Sequence, residues 1–189
     1  MEGEVVKNRI TEGSIFGQLL LFFFPILFGT FFQQLYNTAD AMVVGRFVGK
    51  QALAAVGGST STLINLLVGF FVGLSSGATV VISQFYGARK DKVHWAVHTS
   101  IAFSVIGGIV FMIIGLAGSP WALEAMKTPE DVMGHSVIYI RIYFLGIIAN
   151  LIYNMGAGIL RAVGDSRHPL IYLAVASLVN IALDFLFVC

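Results

Sequence analysis

Two acidic residues lie within long apolar stretches of this sequence. Asp40 follows residues 14–39, which contain no Lys, Arg, Asp or Glu. Asp184 lies in the last apolar segment, four residues after Asn180. Because a carboxylate inside a membrane is costly, such a residue is expected to have a function. Two acids on separate membrane helices predict a site that takes up and releases protons or metal cations.

The first acid has polar neighbours on its own helix. Gln33, Tyr36 and Asp40 are spaced i, i+3 and i+7 and therefore share one helical face, and Asn37 lies at its edge. Asp40 is 26 residues after Ser14, or about 39 Å along a helix, whereas the hydrocarbon core is about 30 Å thick. A solvated position at the membrane surface therefore stays open, unless tilt, a kink or a cavity brings Asp40 inward.

The second acid has a carboxamide one helical turn away. Asp184 is 15 residues after Pro169, or about 22 Å along the helix, in the same half of the membrane as Asp40. Carboxylate and carboxamide oxygens suit a monovalent cation, or hydrogen bonds around a titrating carboxyl. A structural ion pair is the alternative, but no Lys or Arg lies nearby in the sequence.

We therefore predict a cation site and a cavity beside it. The predicted cation-binding residues are Asp40, Asn180 and Asp184. Asn150 and Asn154, on the fourth apolar segment, either line this cavity or form hydrogen bonds to neighbouring helices. The predicted cavity-lining residues are Gln33, Tyr36, Asn37, Asn150 and Asn154.

Composition places the chain in a membrane. Of its residues 57% are hydrophobic and 11% charged, with a mean hydropathy of +0.87, whereas soluble domains carry roughly 25% charged residues. The net charge is +1 and the basic residues form no stripe, which argues against nucleic acid as a partner. We find no nucleotide motif or Ser/His/Asp arrangement, and predict that the protein is not an enzyme and needs no cofactor.

Five apolar segments are long enough to cross a bilayer, which takes about 20 residues. They predict an all-α membrane protein with spans at 14–44, 52–85, 95–117, 137–163 and from 170 to the end at 189. Residues 1–13 precede them as a cytoplasmic segment. Pro25 predicts a kink in the first span, and the four-residue spacing of Gly69, Gly73 and Gly77 predicts close helix packing in the second. The end of the chain within an apolar segment predicts a truncated, larger protein.

Several stretches, taken together and in order, resemble the amino-terminal part of the multidrug and toxic compound extrusion (MATE) family. They are QQLYNTAD (33–40), VGRFVG (44–49), ALAAVG (52–57), QFYGAR (84–89), LRAVGDSRHP (160–169) and NIALD (180–184). The resemblance covers nearly the whole chain. Each piece is weak by itself, whereas the set is specific.

The resemblance implies a twelve-helix transporter of two six-helix lobes that exports organic cations and other drugs in exchange for Na⁺ or H⁺. Asp40, Asn180 and Asp184 match the cation site of the family's amino-terminal lobe, with Gln33 and Tyr36 beside it. The chain is then an incomplete amino-terminal lobe in the cell membrane, the inner membrane in bacteria. Its carboxyl-terminal lobe is missing, so we do not expect these residues alone to transport.

Two other functions remain as alternatives. A lipid-linked oligosaccharide flippase of the same superfamily would favour a strongly basic cavity, whereas the membrane-embedded charges here are acidic. An intramembrane enzyme could use two aspartates as acid and base, but the Gly-x-Gly-Asp pattern of aspartyl membrane proteases does not occur in this sequence.

Basic residues predict the orientation of the spans, because cytoplasmic loops are enriched in Lys and Arg. One side has seven (Lys7, Arg9, Arg89, Lys90, Lys92, Arg161, Arg167) and the other three (Arg46, Lys50, Lys127). We predict a cytoplasmic amino terminus. In the complete protein with Cys189→Ala, a membrane-impermeant maleimide should not label Asp91→Cys in intact cells, whereas the Glu130→Cys control should react. Strong labelling at position 91 would overturn this topology.

Overall fold

The computed structural model describes residues 15–88 and 92–188. All regular secondary structure in these residues is helical. Its helices are α1 Ile15–Val43, α2 Lys50–Gly57, α3 Ser59–Gly87, α4 Val93–Ala125, α5 Glu130–Leu145, α6 Ile147–Ala162 and α7 Arg167–Val188. A π-helical turn, Val44–Val48, follows α1. The predicted all-α class is confirmed. The predicted segment 1–13 and the basic residues Arg89 and Lys90 lie outside the described residues.

Three stretches are long and apolar enough to cross a membrane: Phe16–Val48, Lys50–Gly87 and Val93–Ala125. A fourth is possible if α5 and α6, bent by 50° at Gly146, form one broken span. These correspond to the first four predicted spans. The predicted fifth span coincides with α7, which is 22 residues long, and its crossing of the membrane stays a prediction.

The predicted boundary after the third span is wrong. We expected a connection at 118–134, whereas α4 continues to Ala125 and α5 starts at Glu130. Leu123 is fully buried in the core, and this burial favours helix beyond Pro120. The chain turns only at Lys127, whose φ of 54° lies in the left-handed region, and Pro129 then precedes the first turn of α5.

Two further details of the predicted spans need correction. The second predicted span is broken at Gly58, where a Cβ would lie 2.7 Å from the Ala54 carbonyl oxygen. The predicted connection at 45–50 is largely the π-helical turn, closed by Gly49 at a φ of 110°. Helix α1, by contrast, continues through Pro25 without interruption.

Glycines of α4 and α6, rather than those of α3, bring the helices close together. Within the described residues, a Cβ at Gly69, Gly73 or Gly77 would meet nothing within 4 Å, so these residues do not form the close packing predicted there. The contact of α3 with α6 instead uses Gly158 of α6, where a Cβ would lie 2.7 Å from the Ser75 hydroxyl. The glycine at this contact lies on α6, where its missing side chain leaves space for the hydroxyl groups that α3 contributes.

The core of the described structure lies between α3, α4, α5 and α6. Its buried residues are Phe71, Leu123, Ile140, Phe144, Ile147 and Leu151. The rings of Phe71 and Phe111 meet edge to face, 4.6 Å apart between centroids, a favourable arrangement for aromatic pairs. Helices α1 and α7 form a separate pair at the side of this group and pack mainly on each other.

The turn between α6 and α7 fixes the start of α7. The amides of Gly164 and Asp165 donate to the carbonyls of Arg161 and Leu160, respectively, which is a Schellman motif with Gly164 at a φ of 92°. Asp165 then accepts hydrogen bonds from the backbone amides of Arg167 and His168. Burial raises the pKa of the Asp165 carboxyl. These hydrogen bonds and the His168 ring lower it by more, so the pKa lies below its ordinary value.

We predict that Gly115→Ala destabilises the protein. A Cβ at this position would lie 2.2 Å from the ring of Phe144, which is 5% exposed and has little room to move. Overpacking of this kind costs about 1–3 kcal/mol and should lower the melting temperature in detergent. Gly118→Ala, on the same helix with nothing within 4 Å, is the control. An equal melting temperature for the two variants would contradict this packing.

Candidate cation site between two parallel helices

Helices α1 and α7 run parallel and in register. Half-way along α1 and near the start of α7, a Cβ on Gly29 would touch the Leu170 and Leu173 side chains, 3.7 Å from each. Eleven residues further along, Asp40 follows from Gly29 and Asp184 from Leu173. Because eleven residues complete about three helical turns, each acid returns to the face that its helix turns toward the other. The register set at Gly29 therefore brings the two acids together.

The carboxyl groups of Asp40 and Asp184 face each other. They are close enough to hydrogen bond when one of them holds a proton. This meets the expectation from sequence that the two acids converge, and it argues against a fully solvated position for Asp40. Two ionised carboxylates at this separation repel each other, so the arrangement favours a positive charge or a proton between them.

Three oxygen atoms of this site are buried and have no hydrogen-bond partner among the described residues. They are Oδ1 of Asp40, Oδ1 of Asn180 and Oδ2 of Asp184. A buried acceptor without a partner costs about 1–3 kcal/mol, and more when it is charged. All three are hard oxygen acceptors of the kind that bind protons and alkali or alkaline-earth cations. We name this set, Asp40, Asn180 and Asp184, the acid site.

Helix α5 contributes tyrosines that the sequence analysis did not single out. Tyr139 is within electrostatic range of Asp40, and Tyr143 is within range of Tyr139 and Tyr36. Tyr139 and Tyr143 are half-buried and lie four residues apart, hence on one face of α5. The four-residue spacing of Tyr139 and Tyr143 is visible in the sequence. Tyrosines are also common membrane-interface anchors, however, so the spacing alone did not indicate a role in the site.

Gln33 belongs to a different place from the acid site. It lines a cavity of about 120 Å³ between α1, α6 and α7, together with Tyr153, Asn154 and Arg161. Gln33 precedes Asp40 by seven residues, or about 10 Å along the helix. The predicted shared face of α1 therefore extends from this cavity to the acid site, with Tyr36 between them.

The remaining predicted residues make local hydrogen bonds. The Asn154 amide donates to the backbone and side-chain oxygens of Asn150, and the Ser75 hydroxyl donates to the Asn154 carbonyl. Only the bond from Ser75 joins α3 to α6, because the bonds between Asn150 and Asn154 lie within α6. Asn154 also lines the cavity that contains Gln33. Asn37 is exposed and donates to the Gln34 side chain on its own helix. Its role in lining a cavity stays a prediction.

We predict that a short bifunctional thiol reagent will link Asp40→Cys to Asp184→Cys in the complete protein with Cys189→Ala. The two side chains face each other across the helix pair, so the reagent needs to span only a few ångströms. The control pair is Asp40→Cys with Leu183→Cys, because Leu183 is exposed and points elsewhere on α7. Equal linking of both pairs, or none of the first, would contradict the parallel register.

Comparisons with known proteins agree with this architecture. The sequence profile of the MatE family matches residues 25–186. The chain is 33% identical over 180 residues to the probable multidrug resistance protein YoeA of Bacillus subtilis, covering 95% of the chain and 39% of that protein. It is also 33% identical to the probable multidrug resistance protein YpnP of Bacillus subtilis, covering 94% of the chain and 40% of that protein.

Solved structures give the same result for the fold. An outward-facing multidrug resistance MATE family transporter superposes with a TM-score of 0.87 at 26% identity, over 98% of this chain and 41% of that one. A transporter of the MOP superfamily from Pyrococcus furiosus gives the same TM-score, identity and coverage. The reversed polarity of its binding pocket is described as suggesting a different function for that protein. The chain therefore spans about two fifths of the length of its relatives. It is a multi-pass membrane protein and belongs to the MatE family of transporters.

Proposed function

We propose that the complete protein is a secondary transporter that exports organic cations and other xenobiotics in exchange for Na⁺ or H⁺. The observation that carries this proposal is the set of three buried oxygen atoms without partners, on Asp40, Asn180 and Asp184. They lie between two parallel apolar helices that pack mainly on each other. A coupling ion supplies the partner that these oxygens lack.

The proposed coupling follows from the repulsion within the acid site. With no cation present, two facing carboxylates push α1 and α7 apart or draw in water. A bound proton or Na⁺ removes part of the repulsion and favours the packed arrangement of α1 against α7. The site thereby gives the ion a different affinity in the two conformations, which is what any ligand needs to shift an equilibrium.

The driving force is large enough for such a cycle. One elementary charge that crosses the membrane potential gains about 2.3 kcal/mol per 100 mV. This corresponds to a bias of about fifty-fold in a two-state equilibrium. A cycle that moves one net positive charge inward can therefore shift the protein between an ion-bound and a substrate-bound arrangement.

The names of the relatives and the tyrosines around the acid site support the class of substrate. The similar Bacillus proteins are named as probable multidrug resistance proteins. Tyr139 lies near Asp40, and Tyr36 and Tyr143 lie near Tyr139; their aromatic faces attract organic cations. We place the transporter in the cell membrane with its amino terminus in the cytoplasm, as the basic residues predict.

We predict that Asp184→Asn abolishes gradient-driven export while the protein stays folded and inserted. Asn keeps the size and hydrogen-bonding capacity of the side chain but cannot carry its negative charge. Drug efflux from vesicles with matched protein levels, driven by an imposed Na⁺ or H⁺ gradient, should fall by at least about tenfold, equivalent to 1.4 kcal/mol or more.

The control for this variant is Glu124→Gln, which removes an exposed acid at the far end of α4 and should leave efflux unchanged. Separate Na⁺ and H⁺ gradients identify the coupling ion. Wild-type efflux from Asp184→Asn under both gradients would refute the proposed role. A loss of drug affinity alone, with coupling intact, would assign Asp184 to the substrate path instead.

A further inference from the structure

An open apolar groove runs along the outside of the α3–α4 pair. Its volume is about 650 Å³ and Met155 of α6 contributes to its lining. Gly73 and Gly77 lie along the α3 side, where added Cβ atoms would meet nothing within 4 Å, so the groove is open at both positions. It shares no residue with the acid site, and the transport cycle proposed above does not use it.

The groove is as long as one leaflet of a bilayer. On α3 it extends from Gly73 to Phe85 and on α4 from Lys92 to Phe103. At 1.5 Å per residue these stretches are about 18 Å and 17 Å long. Half of a hydrocarbon core is about 15 Å, whereas a membrane-spanning helix needs about 30 Å of contact. The length therefore fits an acyl chain of one leaflet better than it fits another helix.

The two ends of the groove differ in chemistry. The end of the groove around Gly73 and Phe103 is apolar. The other end, at the start of α4, has the exposed side chains of Lys92 and Trp95. Lys92 forms no ion pair with any residue in the described part of the chain. Lysine and tryptophan at one end of an apolar slot match the level of lipid headgroups, and the lysine charge matches an anionic one.

We propose that this groove is a binding site for an anionic phospholipid. One acyl chain lies between α3 and α4 over Gly73 and Gly77, and the phosphate pairs with the Lys92 ammonium group. The lipid comes from the leaflet that Lys92 faces, which is the cytoplasmic one if the predicted topology holds. Because such leaflets are rich in anionic lipids, the site has a ready supply of its ligand.

The test measures how much radiolabelled phosphatidylglycerol and phosphatidylcholine stay bound to the purified complete protein after extensive detergent exchange. Gly77→Leu fills the groove, and Gly69→Leu is its matched control because Gly69 lies on the same helix in open space outside the groove. Lys92→Gln removes the charge at the headgroup end. Lys50→Gln, another exposed lysine, is the control for that change.

We expect Gly77→Leu to lower the retained phosphatidylglycerol several-fold, and Gly69→Leu to leave it as in the wild type. Lys92→Gln should remove a preference of about fivefold for phosphatidylglycerol over phosphatidylcholine, which Lys50→Gln should keep. Equal retention in the two glycine variants, or no lipid preference in the wild type, would overturn the proposal. So would a photo-crosslinker at position 74 that captures a protein segment instead of lipid.

Discussion

Burial of carboxylate oxygens between two apolar helices is the constraint on which this structure depends. Within the described residues, the first apolar span is only 6% buried, and α1 packs mainly on α7. The pair therefore meets along one face, and that face contains Asp40 and Asp184. Any change in how the two carboxyl groups interact acts directly on the contact between the helices. The proposed cation site thereby lies at the contact between these two helices.

The rest of the chain supplies a rigid frame for this contact. Phe144 fills the space beside Gly115, and Ser75 hydrogen bonds to the Asn154 carbonyl across α3 and α6, so the four central helices lock together. Helix α7 starts from a turn fixed by Gly164 and Asp165. The central helices hold Tyr139 near the acid site, while α1 and α7 remain the most separable elements. This division is consistent with the proposed rearrangement around one ion.

Most of the site was predictable from the sequence because intramembrane acids are rare and helical spacing is regular. Asp40 and Asp184 stand out by type alone, and their matched depth predicts that they meet. Tyr139 escaped prediction because its role depends on the packing of α5, which periodicity does not reveal. The glycines show the same limit: their spacing predicted packing at Gly73 and Gly77, but the faces of α3 could not be assigned to neighbours without the fold. The carboxyl-terminal end of α4 was missed because burial of Leu123 outweighed the helix-breaking effect of Pro120.

The central claim is that the acid site binds the coupling cation, and infrared difference spectroscopy of the purified complete protein tests it most directly. The account predicts a carboxyl band that responds to lowered pH or to added Na⁺ at constant pH. That band should disappear in both Asp40→Asn and Asp184→Asn and remain in Glu124→Gln. Carboxyl bands that respond identically in the wild type and in both site variants would contradict the account.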